Sequence, residues 1–195
     1  PATAASAVML STPKDLGGWG VTGLDLSTSP LKDWKSNVTA LAEWNGRIYV
    51  GGMFTTVAKN GTAQAAQPYL AAFDRATGAW VSSFRPKLDG GVWDLVVTPG
   101  GRLLVGGYFA TVNNKPKPAL VALDPSNGFI DHSFAAALSK TTGRVGVRTL
   151  ELRGTALYVG GSISKVSWTN GTTSTAVSGQ NLFKVDPKTG APHAT

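Results

Sequence analysis

Arg47-Ile48-Tyr49-Val50-Gly51-Gly52 returns twice in this chain, as Arg102-Leu103-Leu104-Val105-Gly106-Gly107 and as Ala156-Leu157-Tyr158-Val159-Gly160-Gly161. Gly51, Gly106 and Gly160 are 55 and then 54 residues apart. A fixed period in that range marks a stacked or radial repeat, in which each unit covers the apolar face of its neighbour. The hexapeptide also says what the unit is. Ile48 and Val50 point to one side and Tyr49 to the other, so the strand is apolar on both faces. A sheet with one wet face would alternate apolar and polar. A small antiparallel sheet held between others of its kind is the blade of a β-propeller. The glycine pair at the strand end leaves room for neighbouring backbones to come close.

Working outward, residues 38–44 form a first strand, closed onto 47–52 by Asn45-Gly46, the strongest short hairpin signal. After a long polar segment, 53–68, come strands at 69–74 and 80–84. The order repeats at 92–98, 102–107, 119–124 and 129–134, and again at 147–152, 156–161 and 181–186. Residues 1–17 form an N-terminal extension or edge strand around Val8-Met9-Leu10. A half blade is expected over 18–37, with strands at 20–26 and 31–34, then blades over 38–91 and 92–146 and a truncated blade over 147–195. The expected fold class is all-β: an incomplete β-propeller of about 3.5 four-stranded antiparallel blades. A ring needs at least ~4 blades, so a second polypeptide is expected to complete it, either the remainder of a nicked precursor or another copy.

Composition agrees. The chain has 195 residues, 42% of them hydrophobic, with 24 Gly and 11 Pro. That suits many short strands joined by turns around a sizeable core. The absence of cysteine excludes disulfides, thiolate zinc sites and cysteine nucleophiles. No apolar run reaches the ~18 residues of a membrane-spanning helix. The opening Pro1-Ala2-Thr3-Ala4-Ala5-Ser6-Ala7 reads equally as the mature end left by a signal peptidase and as another processing boundary.

The segments Thr98-Pro99-Gly100-Gly101-Arg102-Leu103-Leu104-Val105-Gly106-Gly107-Tyr108-Phe109 and Leu123-Asp124-Pro125-Ser126-Asn127-Gly128-Phe129-Ile130-Asp131-His132-Ser133-Phe134 resemble the bacterial delta-60 repeat, a kelch-like propeller repeat. The first unit matches through Gly51-Gly52-Met53-Phe54 and Asp74-Arg75-Ala76-Thr77-Gly78, the third through Gly160-Gly161 and Asp186-Pro187-Lys188-Thr189-Gly190. The resemblance spans about residues 38–190. It implies a propeller of a secreted or cell-surface protein and no shared chemistry. The tryptophan of kelch repeats proper is met at Trp80, with Phe129 and Ala191 at the matching places. Quinoprotein propellers carry a Trp four residues past the turn glycine, where this chain has Ser82, His132 and Ala194. A quinone cofactor is therefore not expected.

No catalytic residue is assigned. Asp25, Asp74, Asp124 and Asp186 precede turns whose backbone they can accept from, a structural role. His132 and His193 have no serine–aspartate partners, and two histidines without cysteine make no transition-metal site. Neither a metal nor another cofactor is expected. Gly18-Trp19-Gly20-Val21-Thr22-Gly23 has a dinucleotide-binding spacing but no helix after it. Twelve residues before the first glycines stand Thr39, Asp94 and Arg148, a polar position expected at the mouth of the central channel. The longest inter-strand segments, 53–68, 85–91, 108–118, 135–146 and 162–180, fall at one end of the blades. That end carries Lys35, Lys59, Arg85, Lys87, Lys115, Lys117, Lys140, Arg144, Arg148 and Lys165 against only Asp89 and Asp94. That concentration, with Trp168 as a stacking surface, points to an extended polyanion. An acidic polysaccharide is preferred over nucleic acid, for which no motif is present. The leading expectation is a non-catalytic binding or scaffold module. The alternative is part of a carbohydrate-active or oxidoreductase propeller enzyme whose catalytic residues lie elsewhere in the protein.

Overall fold

The computed structural model describes residues 17–24 and 38–193. Each recurring hexapeptide is the middle strand of a small antiparallel sheet. In the first sheet β2 (Val38–Trp44), β3 (Arg47–Gly52) and β6 (Leu70–Asp74) lie in the order β2-β3-β6. The second has β7 (Val92–Val97), β8 (Leu103–Gly107) and β11 (Leu120–Leu123), and the third β13 (Gly146–Arg153), β14 (Ala156–Ser162) and β17 (Leu182–Val185), with the same topology. The fourth, outer strands expected at 80–84 and 129–134 shrink to single bridges, Phe73 to Trp80 and Leu123 to Ile130. A third bridge joins Val185 to Pro192, past the point where strand was expected to stop. The position matching Trp80 is thus Ile130 rather than Phe129. Beyond the bridges, Phe84 and Phe134 turn fully inward, which ends the pairing.

Apolar residues on both strand faces make a stack of sheets. Tyr49, Leu70 and Ala72 of the first blade bury against Leu103, Val105 and Val121 of the second. Leu104, Leu120 and Ala122, on the second blade's other face, bury against Leu157, Val159 and Phe183 of the third. Val50, Ala71 and Phe73, facing away from the second blade, are covered by Phe54 and Val57 with Trp19 and Val21 beside them. The glycines sit where the next blade's first strand crosses. A Cβ on Gly51 would lie 2.5 Å from Val92 Cγ1, and one on Gly106 would lie 2.7 Å from Val147 Cγ1. The fold is all-β, an incomplete propeller.

Three of the segments expected as long loops, 53–68, 108–118 and 162–180, fold into β-hairpins. Between β3 and β6 the chain folds into the hairpin β4 (Thr56–Lys59) and β5 (Thr62–Ala66). The second blade carries β9 (Thr111–Val112) and β10 (Lys115–Pro116), the third β15 (Lys165–Asn170) and β16 (Thr173–Ser178). Each hairpin accepts a strand from the segment leading into its blade. β1 (Trp19–Thr22) pairs with β4, Leu88 bridges to Val112, and β12 (Ala136–Ser139) pairs with β15. The strand expected at 20–26 is therefore β1, and its partner is a hairpin strand rather than the middle strand of a blade. Asp25, the expected strand at 31–34, Lys35 and the extension over residues 1–16 lie outside the described residues.

The base of each hairpin is closed in one way. Tyr69, Ala119 and Asn181 have φ of 68°, 64° and 64°, left-handed values that side chains resist. Each donates its amide back across the hairpin, Tyr69 to Phe54 O at 3.0 Å, Ala119 to Phe109 O at 2.9 Å and Asn181 to Ile163 O at 2.9 Å. Their carbonyls accept from Gly52, Gly107 and Gly161. Two backbone bonds per residue hold the strain in place.

Candidate functional site

Each blade's first strand carries a β-bulge two residues from its start, between Val38 and Ala40, Val92 and Asp94, and Val147 and Thr149. The bulged residues are Thr39, Trp93 and Arg148, whereas counting back from the glycines selects Asp94. The reason is the turn 99–101, one residue longer than Asn45-Gly46 or Gly154-Thr155. It displaces the count by one in the second blade. Thr39 and Asp94 serve the seams between blades. Thr39 Oγ1 donates to Val92 O at 2.5 Å. Asp94 Oδ2 accepts the Leu150 amide at 2.7 Å and Oδ1 the Leu95 amide at 2.8 Å.

Arg148 is exposed and belongs to a cluster that the spacing did not show. The Trp93 and Tyr108 rings stack with centroids 5.5 Å apart and planes 19° apart. Arg148 Cζ lies 4.9 Å from the Trp93 ring and Arg144 Cζ 4.3 Å from the Tyr108 ring. Arg144 Nη2 also donates to Tyr108 O at 2.9 Å. Gly146 fits the rings against the backbone, since a Cβ there would stand 3.0 Å from Tyr108 Cδ2 and 3.3 Å from Trp93 Cζ3. Both arginines are exposed, and among the described residues neither makes an ion pair. The nearby Asp89 accepts the amides of Ala110 at 2.8 Å and Thr111 at 2.9 Å. Burial alone would raise its carboxyl, but those bonds and the charge of Arg144 outweigh it and hold it below the ordinary range.

Among the described residues none of the other expected binding side chains joins the ring and hydrogen-bond contacts of this cluster. Lys87 is exposed, its amide held by Asn113 Oδ1 at 2.8 Å. Lys115 lies exposed in β10 and Lys117 half-buried just after it. Lys140 Nζ donates to Ser162 Oγ at 2.6 Å. Trp168 is not in a loop: it is a half-buried residue of β15, opposite Ala136 and Thr175. Lys59 lies over Trp19 at 5.3 Å and Arg85 over Trp80 at 5.4 Å.

At the opposite, tight-turn end the charges pair off. Asp74, Asp124 and Asp186 accept the amides of their own turns, at Thr77, Ser126 and Lys188, as expected. Arg47 reaches into the second blade's turn, donating to Pro125 O at 3.0 Å and Ser126 O at 2.8 Å. Arg102 does the same one blade on, at Pro187 O (3.0 Å) and Lys188 O (2.6 Å), and pairs with Asp131 at 2.7 Å. A cleft of about 910 Å3 opens at this end, bordered by Trp44, Pro99, Phe129, His132, Leu152 and Lys188. Among the described residues the hairpin end holds Lys59, Arg85, Lys87, Lys115, Lys117, Lys140, Arg144, Arg148 and Lys165 against Asp89 and Asp94. Everything else described balances, six cationic side chains against six carboxylates. No three of the described histidine, aspartate and glutamate side chains stand together as a metal site.

Residues 99–134, within the second blade, match the family model described as a domain of unknown function (DUF5122) beta-propeller. Among solved structures, the crystal structure of the computationally designed Ika8 protein aligns with a TM-score of 0.43 and 14% identity over 80% of this chain. The alignment takes in 35% of that chain, so this protein spans about a third of its length. No curated protein matches.

Proposed function

We propose that this chain is a non-catalytic binding module of a secreted or cell-surface protein that holds an anionic polysaccharide on its hairpin end. The observation that carries the reading is the division of charge. The whole excess of positive charge among the described residues lies at one end of a rigid stack, and a field of one sign over a fixed surface gathers and steers an anionic polymer. Binding should weaken steeply as salt rises, because the counterions that binding releases gain less entropy in a saltier solution. The test is titration of an acidic polysaccharide against a variant with Lys87, Lys115, Lys117 and Lys140 changed to Glu, and against one with Arg75 and Lys188 changed to Glu. The first should lose binding and the second keep it. Equal behaviour of the two, or no binding by the unaltered protein at low salt, refutes the proposal.

The same reading includes a second polypeptide as partner, either the remainder of a nicked precursor or another copy, closing the ring beside the third blade. On the face pointing away from the second blade Leu182 is 64% exposed, where the matching Leu70 and Leu120 are 0% and 2% exposed. A further blade in that place would bury it as its counterparts are buried. Light scattering on the native protein should give a mass above that of this chain, and a stable lone monomer refutes the partner.

A further inference from the structure

We propose that the Trp93–Tyr108 stack and its two guanidiniums form a subsite for the carboxylates of a polyuronate chain. This rests on the basic-face reading and names the anion that the face selects. Packing against aromatic rings sets Arg144 and Arg148 apart from the lysines nearby. Lys87 and Lys115 are exposed ammonium groups on flexible stems, which act as point charges of no preferred direction. Arg144 and Arg148 are each placed against a ring, at 4.3 and 4.9 Å, and those rings are stacked on each other. Arg144 is fixed further by its bond to Tyr108 O. A guanidinium packed this way loses little further freedom on binding, and it presents a planar fork of N–H donors with a carboxylate's geometry.

The rest of the site agrees. The described structure gives neither arginine a carboxylate partner, in contrast to Arg102, which has Asp131. Asp89 feels the charge of Arg144 without forming an ion pair with it, and its Oδ1 already accepts two backbone amides. Arg144 spends one Nη2 donor on Tyr108 O, and the remaining fork donors of both arginines, with no ion-pair partner among the described residues, are available to an incoming anion. Two such forks joined by one aromatic stack suit a chain that repeats a carboxylate from unit to unit. They suit a nucleic acid less well. Each ring already has a ring and a guanidinium as neighbours, so the column offers donors at its edges rather than free faces for bases to stack on.

The experiment changes fork geometry while keeping charge. The protein carrying Arg144→Lys and Arg148→Lys is titrated with polygalacturonate and, separately, with dextran sulfate at the same salt. The expected result is a loss of about tenfold or more for polygalacturonate, with dextran sulfate unchanged within about twofold. The salt dependence should stay the same for both, since no charge is removed. Trp93→Leu, which removes the platform under Arg148 and no charge, should show the same selective loss. Equal losses for both polymers, or none for polygalacturonate, overturn the subsite and leave the basic face standing. Tighter binding of single-stranded DNA than of polygalacturonate also overturns it. Failure of the unaltered protein to bind either polymer at low salt removes the basic-face reading itself.

Discussion

The two ends of the blades use the same residue types for opposite purposes. At the tight-turn end Arg47 and Arg102 donate to carbonyls of the next blade's turn, and Arg102 is only 17% exposed in its pair with Asp131. At the hairpin end Arg85, Arg144, Arg148 and Lys59 lie over aromatic rings and make no ion pair among the described residues. The first arrangement spends charge on joining one blade to the next. The second keeps charge available at a fixed position, because a cation over a ring face is attracted without being neutralised. Charge balance at one end and excess at the other is the electrostatic trace of that division.

Breaking one side of the comparison should cost stability and breaking the other should not. Arg102→Ala removes an ion pair, two bonds to the third blade's turn and a bond to Ser133 Oγ at 2.7 Å, and it leaves Asp131 half-buried without its partner. The expected loss is about 3 kcal/mol, read from urea melts. Arg144→Ala, whose side chain is exposed over Tyr108, should cost about 0.5 kcal/mol. Similar costs for the two would erase the distinction between the ends.

A smaller effect appears with pH. Among the described residues, four of the five depressed carboxyls behind it, Asp74, Asp124, Asp131 and Asp186, lie at the tight-turn end, with Asp89 the exception. In the folded protein the carboxyl of Asp124 is held below its ordinary value, first by the Ser126 hydroxyl and then by the Ser126 amide. Asp186 is also low: burial opposes the shift, but the amides of Thr189 and Lys188 outweigh it. For Asp131 burial is outweighed by Ser133 and Arg102. A depressed carboxyl stabilises the fold above its unfolded pKa, and that contribution disappears as pH falls through the lower folded value. Stability should therefore be flat above about pH 5 and decline below about pH 4. Asp124→Asn should flatten part of that decline, whereas Lys115→Gln at the hairpin end should leave its shape unaltered. Denaturant melts from about pH 6 down to about pH 2 check both.

How much of this was legible follows from where the apolar pattern is strong. The strand 47–52 and its Asn45-Gly46 turn have the bounds that the sequence predicts, because burial on both faces leaves an unmistakable run. At the other end the sequence reads as loops where hairpins form, although Asn60-Gly61 and Asn170-Gly171 carry the same turn dipeptide. The flanking strands explain this. β5 reads Thr-Ala-Gln-Ala-Ala and β16 Thr-Ser-Thr-Ala-Val-Ser, mostly exposed, so no alternation marks them as sheet. The candidate site was half visible. Arg148 follows from the glycine count, but Trp93 stands one residue off because of the longer turn at 99–101. Arg144 meets Tyr108 only through the fold, from a stretch with no periodic signal. The left-handed Tyr69 and Ala119 carry no sequence mark either, since neither is a glycine or an asparagine, the residues that favour that region.

The smallest predicted effect tests whether pairing alone, rather than burial with pairing, makes the tight-turn end structural. Arg75 and Glu43 form an ion pair at 2.5 Å, yet their side chains are 60% and 52% exposed. Water and salt screen such a pair, and holding two long side chains together costs conformational freedom. Arg75→Ala should therefore change stability by less than about 0.5 kcal/mol, several times less than Arg102→Ala at the same end. It should also leave polyanion binding unchanged, because Arg75 lies across the molecule from the hairpins. A loss comparable to that of Arg102→Ala would mean that ion pairing itself holds the turns. In that case the carbonyl bonds from Arg47 and Arg102 would no longer be what separates the structural charges from the available ones.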